Sequence, residues 1–190
     1  QIILDKLTDM PHTSLSESLG DNGSDRCYDF WSNSLVDPDA ILAQIKSDTY
    51  EIAKNLNVIL IIQDTSEISS APRKRQEESQ FSDSVFLHTS LAIRTDGLPI
   101  GIVDQLQWRR LKSEYGKKHK RKEKPIEDKE SSKWLHPLNS IRNHLPKAQT
   151  KILISDRESD VYDYFSALRS NEKLLIRIAQ DRALNDATRI

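Results

Sequence analysis

The sequence predicts an α/β protein in which a mixed sheet is covered by helices. Residues 58–63 and 151–155 are short apolar runs, each closed by an aspartate, and such runs are typical of buried central strands. Between them, residues 85–94 and Pro99–Trp108 read as two strands joined by the tight-turn signal at residues 95–97. A hairpin requires antiparallel pairing, whereas strands that alternate with helices favour parallel pairing, so we expect both in one sheet.

The region ahead of the first strand contains one well-marked helix. Residues 7–33 are rich in Ser, Asp, Asn and Gly and have little periodicity, and residues 21–24 are typical of a turn. Asp37 suits the N-cap position, Pro38 suits the first helical position, and apolar residues then follow at helical spacing. We therefore expect a helical N-terminal segment whose last helix, over residues 38–56, leads into the first strand.

The elements after the hairpin alternate between helix and strand. Residues 131–145 predict an amphipathic helix, with a kink expected at Pro137. A helix over residues 159–169 and a last strand over residues 174–179 follow the second aspartate. The resulting order of strands and helices is that of a ribonuclease-H-like core, in which the first and fourth strands are neighbours.

Asp64 and Asp156, which close the two apolar runs, are the strongest functional signal. In the predicted sheet their strands are adjacent, so both carboxylates are expected to meet at the rim of the core. Hard oxygen ligands suit Mg²⁺ or Mn²⁺, and with substrate phosphates such a site can hold two ions about 3.5–4 Å apart for displacement at phosphorus. The alternative is that each aspartate only caps a loop or helix.

Polar residues beside these aspartates are candidates to support the site. Arg157 is suited to bidentate contact with a phosphate. Glu158 and Asp160 are either site residues or carboxylates that complement a helix dipole, and Thr65 is either a site neighbour or a turn former. The five histidines show no ligand spacing, and we assign none of them to the site.

The charge of the chain is nearly balanced, with 28 Lys and Arg against 29 Asp and Glu, which argues against binding nucleic acid by bulk charge alone. Residues 116–124 nevertheless hold six cations. They form either a solvated loop or a DNA-backbone contact made by Lys117, Lys118, Lys120 and Arg121. The single cysteine, Cys27, excludes a disulfide framework or Cys-rich zinc site, and fits a reducing cytosol.

Four segments resemble the corresponding segments of DDE transposases of the insertion-sequence-four family, which includes the transposon-five transposase. The resemblance runs from about Ser18 to Ala179, and the motifs keep the family's order. The KESSKWL and DRESD motifs are specific, whereas DTS alone is weak. The four segments are residues 62–66 (IQDTS), 108–110 (WRR), 128–135 (DKESSKWL) and 155–162 (SDRESDVY).

The resemblance implies a ribonuclease-H-like fold, two divalent metal ions, and cleavage and joining of transposon-end DNA through a DNA hairpin. It implies that Asp64 and Asp156 are the first two acids of a catalytic triad, that Arg157 and Glu158 line the site, and that Arg177 lies near DNA. It also implies double-stranded DNA, both transposon ends and target, as the partner. A homodimer is implied for the full-length protein, together with a bacterial cytoplasmic, nucleoid-associated location and no membrane partner.

The 190 residues do not contain the family's third acid, a glutamate in a tyrosine–arginine–glutamate–lysine motif. We therefore expect residues 1–57 to be a remnant of the DNA-binding region with a linking helix, and residues 58–190 to be the first, incomplete part of the catalytic core. Glu172 lies in an ordinary Ser-Asn-Glu-Lys turn signal and does not replace the missing acid. With two acids, the chain alone is expected to bind metal weakly and not to cleave DNA.

Two other functions compete with this interpretation. The first is a non-catalytic, truncated transposase relative that binds DNA or a full-length partner. The second is a different metal-dependent α/β phosphotransferase, which the predicted hairpin disfavours because those sheets are mostly parallel.

Overall fold

The computed structural model describes residues 2–69, 80–114 and 125–181 of the chain. The chain divides into two compact units, one up to Ala43 and one from Gln44 onwards, and the boundary falls within helix α4. The helices are α1 (Ile2–Asp9), α2 (Leu15–Leu19), α3 (Asp21–Ser32), α4 (Pro38–Ala53), α5 (His136–His144) and α6 (Tyr162–Ser166). The strands are β1 (Val58–Ser69), β2 (Ser84–Ile93), β3 (Pro99–Trp108), β4 (Thr150–Ser155) and β5 (Glu172–Ile176).

The first unit consists of α1, α2, α3 and the beginning of α4. Helix α2 begins with a capping box, in which the Glu17 amide donates to Ser14 Oγ (3.3 Å) and the Ser14 amide donates to the Glu17 carboxylate (2.8 Å). The turn predicted over residues 21–24 is wrong, because these residues form the first turn of α3. Gly20, at φ 69°, ends α2 and allows α3 to begin at once, and Cys27 on α3 is buried.

The described residues of the second unit form a five-stranded sheet in the order β3-β2-β1-β4-β5. The β1–β2 and β2–β3 pairs are antiparallel, and the β1–β4 and β4–β5 pairs are parallel. The predicted mixed sheet flanked by helices is confirmed. The predicted hairpin turn is also present between β2 and β3, where the Gly97 amide donates to the Arg94 carbonyl (2.9 Å) and Gly97 has φ 91°.

One face of the sheet carries the core of this unit. Residues of α4, α5 and α6 pack with Ile59 and Ile61 of β1 and with Leu153 of β4. Along β1 the side chains alternate, so that Ile59, Ile61 and Gln63 are buried while Ile62 is 38% exposed. The opposite face therefore carries the alternate positions of β1, including Asp64.

The segments around α5 and α6 differ from the sequence prediction. Residues 131–145 divide into a 3₁₀ helix over Glu130–Trp134 and α5, and Pro137 lies in the first turn of α5 instead of kinking a longer helix. Proline is tolerated in a first turn because its missing N–H would have no intrahelical partner there. The helix expected over residues 159–169 is likewise shorter, since a 3₁₀ turn over Arg157–Ser159 precedes α6.

Candidate functional site

Asp64 lies within β1 and not at its end. The prediction that the first strand ends at Asp64 is wrong, as is the turn alternative for Thr65, because β2 pairs with β1 as far as Ser69. Asp64 itself is opposite Thr89 of β2. On the other side of β1, however, the parallel pairing with β4 stops at Gln63, opposite Ser155. Asp64 is therefore at the end of the strand only on the side that faces β4.

Asp156 and Arg177 occupy the equivalent positions on the next two strands. The last pair between β1 and β4 is Gln63 with Ser155, and the last pair between β4 and β5 is Ser155 with Ile176. Asp64, Asp156 and Arg177 each follow directly after the last residue of their strand that takes part in this parallel pairing. The register therefore brings them to the same level on neighbouring strands, which are about 4.8 Å apart. All three are exposed. Thus three residues that were chosen from the sequence lie side by side at the adjacent strands β1, β4 and β5.

The two carboxylates have oxygens accessible to a cation. Asp156 caps the following 3₁₀ turn, with its Oδ1 accepting the Glu158 amide (2.9 Å). Asp64 makes no side-chain hydrogen bond or ion pair within residues 2–69, 80–114 and 125–181, and neither does Asp156 Oδ2. Among those residues no cluster of three or more His, Cys, Asp or Glu is arranged to hold a metal. Two carboxylates fit an ion that keeps several waters and takes phosphate oxygens, as Mg²⁺ does.

An ion pair holds the turn that follows Asp156. Glu158 Oε2 lies 3.4 Å from Nζ of Lys133, which is buried in the 3₁₀ helix over Glu130–Trp134. The Lys133 ammonium also lies 5.7 Å from the ring centroid of Trp108 and 5.0 Å from that of Trp134, within the range of cation–π attraction. Arg157, in the same turn, is exposed. The turn is thus linked to this 3₁₀ helix through Glu158, and the exposed Arg157 is accessible to an anion.

Asp160 anchors the chain after β5. It is buried, and its Oδ2 accepts the amides of Ala179 (2.9 Å) and Gln180 (2.8 Å). These bonds tie the segment that begins with Arg177 to the turn that begins with Asp156. Asp160 is therefore a structural anchor and not a carboxylate of the α6 first turn, which begins at Tyr162.

The four predicted DNA contacts of the basic cluster, Lys117, Lys118, Lys120 and Arg121, lie outside the described residues.

A buried polar chain, which sequence reasoning missed, runs beneath Asp64. His88 of β2 bonds Thr65 Oγ1 through Nδ1 (2.9 Å) and Gln63 Oε1 through Nε2 (3.3 Å). Gln63 Nε2 donates in turn to the hydroxyl of Tyr164 on α6 (2.6 Å). No spacing in the sequence could reveal this buried polar chain, because Gln63 and Tyr164 are far apart in the sequence and meet only in the folded unit.

Burial decides the ionisation of His88 and Tyr164 in this buried polar chain. Desolvation, with the nearby Lys133 charge, lowers the pKa of His88 to about 4, so its imidazole is neutral at pH 7. Desolvation also raises the pKa of Tyr164 above its usual range. The chain beneath Asp64 is therefore a neutral hydrogen-bonded scaffold.

A second polar cluster joins α4, β3 and α5. The buried Asp104 carboxylate on β3 accepts from Lys46 Nζ (2.7 Å) and from His136 Nδ1 (2.6 Å). Burial alone would raise the pKa of Asp104, but the Lys46 and His136 bonds outweigh it and hold the pKa below its usual value. Asp104 carries no metal-ligand role here, since both its oxygens are engaged in holding the two helices to the sheet.

Comparison with protein-family models and with curated proteins gave no match for this chain. The function of the chain is therefore inferred from the geometry of the site and from the motifs of the sequence.

Across the part of the chain that the structure describes, no helix has the length and apolar character that crossing a membrane requires.

Proposed function

We propose that this chain contains the first part of a ribonuclease-H-like catalytic core from a DNA transposase, in which Asp64 and Asp156 hold Mg²⁺ or Mn²⁺. The observation that carries the proposal is the parallel β1–β4 register, which ends at Gln63 and Ser155 and leaves the two aspartates as neighbours. The strand order β3-β2-β1-β4-β5, with an antiparallel half and a parallel half, supports the same proposal.

In the proposed reaction the chain binds and orients a phosphodiester of double-stranded DNA. When bound, the divalent ions supply Lewis-acid activation of the attacking hydroxyl and charge neutralisation at phosphorus. Asp64 and Asp156 hold the ions, while Arg157 and Arg177 contact non-bridging phosphate oxygens. Glu158 keeps the turn after Asp156 in place through Lys133. The protein's contribution is thus mainly positioning and electrostatics.

Metal binding tests the two acids directly. The dissociation constant for Mn²⁺ is measured from the electron paramagnetic resonance signal of the free ion, for the wild-type chain, Asp64→Asn and Asp156→Asn. We expect each substitution to weaken binding at least about tenfold, because removing one of two charged oxygen ligands removes most of the attraction. Asp163→Asn, an exposed acid on α6, is the matched control and is expected to bind like wild type. Wild-type affinity in Asp64→Asn and Asp156→Asn would contradict the proposal.

DNA binding separates the transposase proposal from a chain that has no nucleic-acid partner. Fluorescence anisotropy with linear duplex DNA at several salt concentrations is expected to show weaker binding and a salt slope smaller by about 1 for Arg157→Ala and for Arg177→Ala. Arg94→Ala, at the β2–β3 turn and paired with Asp96 (2.7 Å), is the control. DNA binding that needs neither metal nor either aspartate would instead favour the non-catalytic, DNA-binding relative.

A further inference from the structure

We propose that His88 is a positioning residue for the Asp64–Asp156 site, fixing through Thr65 and Gln63 the part of β1 that carries Asp64. The inference rests on the proposed function, because it concerns how the same two acids are held. It assigns a role to a buried histidine that has no contact with metal or DNA in the proposed reaction.

The two residues that flank Asp64 are both held from the buried face. Because side chains alternate along a strand, Gln63 and Thr65 point to one face and Asp64 to the other. His88 bonds both flanking residues at once, Thr65 directly across the ladder and Gln63 on the diagonal. A slip of β1 by one residue would move Asp64 to the buried face and break both bonds. The pair of bonds therefore specifies the face on which Asp64 lies.

The orientation of the Gln63 amide sets the positions of the protons in this polar chain. The Gln63 amide nitrogen donates to Tyr164, so the Gln63 oxygen is an acceptor and His88 Nε2 must carry the proton. His88 Nδ1 is then an acceptor, and the Thr65 hydroxyl donates to it. Each group has a defined role. A defined set of donors and acceptors fixes side-chain orientation more strictly than apolar contacts of the same size.

The buried polar chain also reaches α6, the helix that follows Asp156. Tyr164, fully buried on α6, lies in the segment that begins with the Asp156 turn, and it accepts the Gln63 amide. One polar chain thus connects β1 beside Asp64 with the helix after Asp156. Movement of either acid-bearing segment relative to the other would stretch these bonds.

Asp64 needs this support because its strand loses a neighbour at that point. Beyond Gln63, β4 no longer pairs with β1, so the backbone around Asp64 is held by β2 alone among the described residues. The His88 ring is itself held edge-to-face against Trp134, with centroids 4.7 Å apart. Trp134 belongs to the hydrophobic core. The ring contact therefore connects the core to the part of β1 that pairs with β2 alone.

The test measures metal affinity and stability side by side. The Mn²⁺ dissociation constant and the thermal midpoint are determined for wild type, His88→Phe, Thr65→Val and the double variant. His88→Phe keeps a ring against Trp134 but removes both nitrogens, and we expect it to weaken Mn²⁺ binding about tenfold, the low end of the range for outer-shell partners of ligands. The double variant is expected to bind no more weakly than His88→Phe, because both changes remove the same bond.

Ile141→Ala provides the stability control. Ile141 is fully buried on α5 and belongs to the core but not to the polar chain. The Ile141→Ala variant is expected to lower the thermal midpoint at least as much as His88→Phe does. Its Mn²⁺ affinity is expected to stay within about twofold of wild type. A His88→Phe protein that loses stability while keeping wild-type affinity would overturn the inference.

Two further arms keep the result decisive. If His88→Phe does not fold, Thr65→Val, which removes one hydroxyl from a half-buried residue, takes its place, and unchanged Mn²⁺ affinity in that variant overturns the inference. Asp64→Asn and Asp156→Asn separate the two proposals. If these two lose Mn²⁺ binding while His88→Phe and Thr65→Val keep it, only the positioning role fails. If all four bind like wild type, the metal site itself fails.

Discussion

The surroundings of His88 disfavour the protonated form of its imidazole. Burial and the charge of Lys133 lower its pKa to about 4, whereas a histidine in an unfolded chain titrates near 6.5. Between these two pH values the unfolded state binds more protons than the folded state. The folded state is therefore destabilised as the pH falls through that range.

We expect this histidine to make the fold sensitive to acid. The free energy of unfolding should fall by on the order of 3 kcal/mol between pH 7 and pH 4, with full stabilisation above about pH 6.5. His88→Phe should remove most of that slope even though the variant is less stable at pH 7. Urea titrations at stepped pH measure both proteins, and equal slopes would show that other groups cause the acid sensitivity.

Glu172, at the start of β5, forms a buried ion pair. Its two oxygens accept from Arg142 Nε (2.8 Å) and Nη2 (2.6 Å), and the Arg169 amide also donates to it. Burial alone would raise the pKa of Glu172, but these bonds and charges outweigh it and keep the pKa below the ordinary 4.5. Its stabilisation is therefore complete above about pH 4.5 and is lost as the pH falls below that value.

Glu172→Gln is expected to destabilise the protein by about 3 kcal/mol at pH 7, because it leaves the partly buried Arg142 charge without its carboxylate partner. Glu51→Gln makes the same chemical change in an exposed pair with Lys54 and should cost less than about 0.5 kcal/mol. Urea denaturation followed by circular dichroism measures both. Similar losses for the two variants would mean that the buried pair contributes no more than a surface pair.

The adjacency of Asp64 and Asp156 was predictable from the sequence, whereas their role as metal ligands stays a prediction. Asp64 and Asp156 could be found from sequence because each closes an apolar run, and the register of the sheet then makes them neighbours. The roles of His88, Asp160 and Glu172 could not be found in this way. Each depends on hydrogen-bond partners supplied by a different element, and such partners leave no local spacing in the sequence.

At the scale of elements, α4 is held closely to β3. Lys46 bonds Asp104, the Tyr50 hydroxyl donates to the Val103 carbonyl (2.9 Å), and Thr49 lies against Gly101. Gly101 has φ 154° and lies between two irregularities in the β2–β3 register. A Cβ at this position would overlap Thr49 Oγ1. The absence of a side chain at residue 101 therefore allows the close approach of helix and strand.

Gly101→Ala is expected to cost about 3 kcal/mol, because overlap with Thr49 adds to the strain of the backbone conformation. Gly97→Ala is the matched control, since Gly97 also has positive φ (91°) but has open space around it, and it should cost about 1 kcal/mol. Adding Thr49→Ala to Gly101→Ala should recover part of the loss in chemical denaturation. Equal costs for the two alanine variants would contradict the close approach.

Element boundaries were predictable where signals are local, as in β3, whose observed bounds are Pro99–Trp108 as predicted. They were wrong where a distant partner decides them. β1 continues beyond Asp64 because β2 supplies ladder partners as far as Ser69, although the β1 sequence becomes polar there. The turn-like residues 21–24 became helical because Gly20 already provides the break between α2 and α3.

At the scale of the whole molecule, the sheet has two unlike faces. One face is covered by α4, α5 and α6 and holds the buried core. The other carries Asp64, with Ile62 38% exposed beside it. The general α/β class followed from the order of apolar runs, whereas the division of the chain within α4 has no mark in the sequence, since that helix is continuous.

We expect the 190-residue chain to leave DNA uncut, because two carboxylates do not balance the charge of a second metal ion. Supercoiled plasmid incubated with the chain in Mg²⁺ or Mn²⁺ should stay supercoiled under conditions in which Mn²⁺ binding is detectable. Nicking that requires the metal and disappears in Asp156→Ala would refute this expectation.

The unequal lengths of β1 and β4 have a consequence for amide hydrogen exchange. From Leu60 to Gln63, β1 is paired on both sides, whereas from Asp64 to Ser69 the described residues supply ladder partners only from β2. Successive amides of a central strand point to opposite neighbours, so every second amide in the outer half lacks a ladder acceptor. Exchange should therefore be uniformly slow from Leu60 to Gln63 and alternate between slow and fast beyond Gln63. The change of pattern would begin at the proposed metal ligand.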